Sequence, residues 1–147
     1  MIRDCSGRPH RHTQDCGNVL GEGPVWDETQ NALLWIDIEG KKLWRYGGPG
    51  LQEDGKGGEL ASWDLPKRPG AFALRAQGRP GFLFAFEDGF ALYDPMAETP
   101  APPEYLSKAQ YVEGCEPYHQ HGQVRLNDGR CDRGGRFVCG GYNGDEG

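Results

Sequence analysis

A chain of 147 residues is long enough for one domain with a buried core. Its formal charge of −6 excludes a nucleic-acid partner, because a phosphate backbone needs clustered Lys and Arg, and no apolar run approaches a membrane span. With 24 glycines and 11 prolines the composition argues against a helical protein and for turn-rich β structure, and six Phe, six Tyr and four Trp are available to fill a core.

Residues 1–18 are polar and aperiodic, and they hold Cys5, His10, His12 and Cys16. Thiolate and imidazole suit zinc, but this spacing matches no structural zinc pattern, so the segment reads as a disordered N-terminal tail. It has no apolar stretch of the kind a signal peptide needs. Five cysteines, an odd number without a disulfide framework, point to a reducing compartment, hence the cytoplasm.

From residue 19 onward the pattern is that of short strands. Gly21-Glu22-Gly23-Pro24 reads as a turn or bulge that aims one carboxylate, followed by a short strand at Val25-Trp26 and a turn over Asp27–Asn31. Ala32–Ile38 is dense enough in apolar residues to be a strand buried on both faces. Glu39-Gly40-Lys41 turns the chain into an alternating, more exposed strand, Lys42–Tyr46. Gly47–Gly58 is a loop and Leu60–Leu65 an outer strand.

The pattern then recurs. Ala71–Leu74, Gly81–Phe86 and Phe90–Tyr93 read as strands, and Glu87-Asp88-Gly89 as a turn. Glu104–Tyr111 is either an outer strand or a short helical turn, and Val112–Gln123 a polar connection with His119 and His121. Pro24 matches Ala71, Leu34 matches Leu83, Tyr46 matches Tyr93 or Asp94, and Leu83 matches Phe137. That period of roughly 45–55 residues is the range of four-stranded propeller blades, though a β-sandwich of short strands satisfies the periodicity as well.

The last stretch is the most polar. Asn127-Asp128-Gly129 is a turn signal, Asp132–Gly135 a second turn, and Arg136–Tyr142 a short strand that runs into glycines. Arg125 and Asn127 are two apart, so on extended chain they project to one side. A guanidinium and an amide together suit a ligand rich in hydroxyl and carbonyl oxygens. Read alone, the same residues make an ordinary hairpin turn with a surface charge.

The runs LGEGPVWDETQNALLWIDIEGKKLWRY (Leu20–Tyr46), PGAFALRAQGRPGFLFAFEDGFALYDP (Pro69–Pro95) and RLNDGRCDRGGRFVCGGYN (Arg125–Asn143) resemble the senescence marker protein, gluconolactonase and regucalcin family. They occur in family order and span most of this chain, but only about the first half of a family member. The resemblance implies an all-β fold, a partial six-bladed β-propeller of about two and a half blades over residues 19–147. It implies metal-dependent hydrolysis of a sugar lactone, with one divalent cation (calcium, zinc, magnesium or manganese). Glu22 becomes a metal ligand, and Arg125, Asn127 and Asp145 become substrate-binding residues. The remaining metal ligands match no residue here. An open ring implies uncovered faces carrying Trp35, Ile36, Phe84 and Phe86, and self-association through them. The alternative is a non-catalytic calcium- or protein-binding propeller fragment. Cys131 and Cys139 read as packed thiols, and Asp37 and Asp88 as strand-end or turn residues.

Overall fold

A computed structural model describes residues 16–53, 55–76, 79–108 and 124–143. The described residues are all-β and form three antiparallel sheets. The first has the order β1 (Gly21–Asp27), β2 (Ala32–Asp37), β3 (Lys42–Gly47), β4 (Glu59–Asp64). The second repeats it with β5 (Pro69–Leu74), β6 (Phe82–Phe86), β7 (Gly89–Tyr93) and β8 (Glu104–Lys108), and the third pairs β9 (Val124–Cys131) with β10 (Phe137–Asn143). Two four-stranded meanders and a third begun make about two and a half blades. Glu104–Lys108 is a strand, which settles the choice left open between strand and helix.

Turn chemistry sets the strand ends. At the close of β1, Asp27 accepts from the Thr29 amide at 2.9 Å, the Thr29 hydroxyl at 2.6 Å and the Gln30 amide at 3.2 Å. Asp132 does the same after β9, accepting from the Gly134 and Arg136 amides at 2.8 and 2.9 Å. A side-chain carboxylate thereby takes over the orphan donors of each turn.

Alternation along the strands divides the faces. Leu34, Ile36 and Leu43 from the first sheet and Phe72, Phe82, Phe84 and Phe86 from the second form one buried cluster. Phe84 and Phe86 stack at 5.0 Å between ring centroids. The expectation that Ile36, Phe84 and Phe86 lie on uncovered faces is therefore wrong: each is fully buried where the first two sheets pack together. The period-two pleat puts their neighbours outside instead, leaving Leu33 and Trp26 exposed and Trp35 half-buried against Trp44. Nor is β2 buried on both faces, since Leu33 is exposed.

The third sheet meets the second through Phe137, whose ring stands edge-on to Phe90 at 5.9 Å. Phe90 pairs with Ala85, two residues along from Leu83, so Leu83 lies on the sheet face that Phe137 approaches. Leu83 and Phe137 thus face one another and are not repeat equivalents; the match slips by one residue, and a one-residue slip exchanges the faces of a strand.

Candidate functional site

The innermost strands β1, β5 and β9 come together. A Cβ on Gly70 would stand 2.0 Å from the Leu126 carbonyl oxygen, and one on Gly129 would stand 2.8 Å from the Ala71 Cβ. Only glycine admits so close an approach of two backbones. Leu126 is level with Gly70 and Gly129 with Ala71, so β5 and β9 run in the same direction. Asp27 and Thr29, beyond the middle of β1, share a cleft with Leu74 and Arg75 at the end of β5, so β1 runs with them. Glu22, Arg125 and Asn127 therefore sit at the same end of the three-strand assembly, the end where the inner strands begin. Below them is a groove of about 460 Å³ lined by Gly23–Val25, Gly70–Leu74 and Asp128–Cys131. The three expected residues do not line this groove themselves; their chain neighbours Gly23 and Asp128 do.

Two bulges aim the side chains. In β1, Glu22 pairs with Ile36 and Val25 with Leu34, so Gly23 and Pro24 together oppose one residue, and Gly23 is left-handed at φ 61°. In β9, Asn127 pairs with Gly140 and Gly129 with Cys139, which leaves Asp128 unpaired at φ 49°. Asn127-Asp128-Gly129 is thus a bulge inside a strand and not a hairpin turn, and Arg125 lies on that strand. Glu22-Gly23 and Asn127-Asp128 are the same device in two blades, a bulge that re-aims the residue before it. Left-handed φ suits Gly and is tolerated by Asp.

Arg125 is 7% exposed. Its Nη1 donates to Asn127 Oδ1 at 2.6 Å and to the Leu126 carbonyl at 3.3 Å. Its guanidinium carbon lies 5.0 Å from the centre of the Tyr142 ring. Among the described residues no carboxylate pairs with it. Asn127 Nδ2 donates to Asp128 Oδ2 at 3.3 Å. The sequence brought Arg125 and Asn127 together correctly and missed Tyr142.

Glu22 is exposed, and no group among the described residues bonds to its carboxylate. An unpaired exposed carboxylate beside a left-handed glycine fits one oxygen ligand of a hard divalent cation. It fits as one of a set: among the described residues no three His, Cys, Asp or Glu side chains come together as a cation cage. Asp145, His10, His12, His119 and His121 lie outside the described residues.

Charged groups around the site end are structural. Asp37, at the end of β2, accepts from the Val19, Leu20 and Gly40 amides, each at 2.9 Å. Burial alone would push its carboxyl up, but those hydrogen bonds prevail and hold it below the usual carboxylate range. Asn18, which also reaches Asp37, accepts from the Trp35 indole at 2.7 Å, so the chain is bonded to the first sheet before β1 begins. Asp88 takes Lys67 on one oxygen and the Tyr105 hydroxyl at 2.9 Å on the other. Burial raises Asp88, yet the Lys67 and Tyr105 bonds bring it down, while the Asp88 bond raises Lys67. This trio ties the β4–β5 connection to the β6–β7 turn. Burial pushes the half-buried Cys139 thiol up to about 11, whereas Cys131, expected to be packed as well, is exposed.

Comparison with known proteins supplies the context. Residues 20–147 match the family model described as SMP-30/Gluconolactonase/LRE-like region. The chain is 35% identical over 126 residues to the L-arabinolactonase of Azospirillum brasilense, covering 86% of this chain and 35% of that protein. It is 36% identical to the 6-deoxy-6-sulfogluconolactonase of Pseudomonas putida, covering 84% and 35%, and 28% identical to the regucalcin of Danio rerio over the same shares. The chain thus spans about a third of the length of these relatives. Among solved structures, a luciferin-regenerating enzyme superposes with a TM-score of 0.66 at 23% identity, covering 88% of this chain and 38% of that one. A calcium-binding protein, regucalcin, from Agrobacterium tumefaciens superposes at 0.63 and 22%, covering 87% and 37%. At such identities the likeness speaks for the fold, and it is a β-propeller fold.

Proposed function

This chain belongs to the SMP-30/gluconolactonase/LRE-like family, and from that premise we propose that it carries part of the site of a cation-dependent sugar-lactone hydrolase. The observation that supports this most is Arg125: a buried guanidinium without a carboxylate partner among the described residues, held by an amide oxygen and an aromatic ring at the end where three inner strands begin. A buried cation left short of charge is costly unless acceptors come from elsewhere. The carbonyl, ring and hydroxyl oxygens of a lactone are such acceptors.

In this reading Arg125 and Asn127 grip the sugar lactone by its oxygens and keep the ester carbon facing the attacking water. Glu22 is one ligand of a divalent cation, whether calcium, zinc, magnesium or manganese, and the other ligands come from residues outside those described. Such a cation, when bound, polarises a carbonyl and lowers the pKa of water. Asp145 adds a further contact to the substrate. The free thiols Cys16, Cys131 and Cys139 suit a reducing, cytoplasmic setting.

That no cation cage forms among the described residues favours a second reading, a non-catalytic calcium- or protein-binding fragment, in which the exposed Trp26, Leu33 and Val138 lead to self-association. One experiment separates the two. The chain replaces the matching N-terminal third of the Azospirillum L-arabinolactonase, and lactone hydrolysis above the spontaneous rate is followed with each cation. Cation-dependent turnover lost in Glu22→Ala supports the hydrolase; a folded chimera whose turnover ignores Glu22→Ala and Arg125→Lys overturns it.

A further inference from the structure

Arg125 and Tyr142 are cross-strand partners on β9 and β10, and Asn127 and Gly140 are the next pair along the same face. Glycine opposite Asn127 leaves no side chain to compete for its amide. Directly opposed side chains have Cβ atoms close enough to touch, and here the contact is a guanidinium carbon 5.0 Å from a ring centroid. The ring is still 48% exposed, so it braces the guanidinium from one side without sealing the site.

The second restraint is Asn127. A guanidinium has no acceptor, so the atom facing Arg125 Nη1 at 2.6 Å is necessarily the amide oxygen. That fixes the amide with Nδ2 turned away, toward Asp128 Oδ2 at 3.3 Å. One lone pair of the Asn127 oxygen is therefore taken inside the protein. What Arg125 and Asn127 offer a ligand is mainly donors: the remaining guanidinium N–H groups and the Asn127 amide hydrogen not given to Asp128.

We propose that Tyr142 is a positioning residue, holding Arg125 against Asn127 so that the two meet a ligand as one rigid, donor-rich unit that reads acceptor oxygens. The proposal rests on the ligand role assigned to Arg125 and Asn127 above, and it adds what keeps them ready. A free arginine side chain loses rotamer freedom when it binds; one already stacked on a ring and tied to an amide has lost it beforehand. The hydroxyl of Tyr142 is not needed for this, only the ring.

The test uses the arginine side-chain signals of the ¹⁵N-labelled 147-residue chain, with sodium D-gluconate as the acceptor-rich probe. Expected is an upfield ring-current shift of the Arg125 side-chain protons that persists in Tyr142→Phe and vanishes in Tyr142→Leu. Expected with it is a gluconate affinity about threefold to tenfold weaker in the Leu variant and near wild type in the Phe variant. Arg125 signals unchanged in Tyr142→Leu overturn the positioning role, and they do so even in a chain that binds no gluconate. Arg125→Lys separates the two claims. If it leaves gluconate binding untouched while the ring-current shift is present in wild type, the ligand role fails and the brace stands. If it abolishes binding while Tyr142→Leu changes nothing, the ligand role stands and the brace fails.

Discussion

The first two sheets and the third divide the labour of this molecule. Between β1–β4 and β5–β8 lies a sealed core in which Leu34, Ile36, Phe84 and Phe86 are fully buried. The β9–β10 pair packs on that body along β5 and through Phe137, and leaves Val138 and Tyr142 61% and 48% exposed. Yet this less covered sheet carries Arg125 and Asn127. Stability is concentrated where two blades face each other, and the residues of the proposed site lie where the inner strands start. A bulge serves the second purpose at the expense of ladder hydrogen bonds, and β1 and β9 both carry one.

The largest effect that sharpens this contrast is Phe84→Ala. Emptying a fully buried aromatic site costs about 3–5 kcal/mol, enough to unfold a domain of ordinary stability, whereas Val138→Ala is expected to change stability by under about 0.5 kcal/mol. Denaturant unfolding measures both, and equal losses would erase the division. Next comes Asp37→Ala, which strands the Val19, Leu20 and Gly40 amides and is expected to cost about 1–3 kcal/mol. The pH sign follows from its lowered carboxyl. The folded pKa is below the ordinary 3.8, so this stabilisation is full above that pH and is lost as pH falls below it through the folded value. Stability measured between about pH 5 and 2 falls in wild type, and more shallowly in Asp37→Ala.

Smaller still is Arg125→Lys. A lysine keeps the charge but not the fork or the stacking plane, so ligand affinity is expected to drop about tenfold while the unfolding midpoint moves little. A midpoint shift as large as that of Phe84→Ala would make Arg125 a structural residue. The smallest contrast lies within the third sheet. Cys131 is exposed and lines the groove, while burial holds Cys139 at about 11, so iodoacetamide followed by mass spectrometry is expected to label Cys131 first. Equal labelling would mean that the β9–β10 pair opens freely.

Much of the fold was legible because turns and alternation are local. Asp27, Asp132 and the Gly89 turn punctuate the strands as their residue types suggest, and the repeat revealed two blades. Face assignment was less legible, since it needs the register to within one residue: Ile36, Phe84 and Phe86 went to the wrong side and Leu83 was matched to the wrong partner. The site shows the same limit. The contact between Arg125 and Asn127 was legible, but the Tyr142 ring beside them was not. Counting back from the Cys131–Phe137 pair without interruption puts Asn143 opposite Arg125; the extra residue at Asp128 puts Tyr142 there. Asn-Asp-Gly has the composition of a hairpin turn, and only the neighbouring strand β10 makes it a bulge.

The central claim is that Glu22 on β1 and the Arg125–Asn127 pair on β9 belong to one site at the shared end of the inner strands. Manganese titration of the ¹⁵N-labelled protein tests it most directly, because a bound paramagnetic ion broadens every signal near it. Expected is broadening centred on Glu22 and Gly23 that extends to the side chains of Arg125 and Asn127 and disappears in Glu22→Ala. Broadening at Glu22 that never reaches β9, or broadening that survives Glu22→Ala, would contradict it.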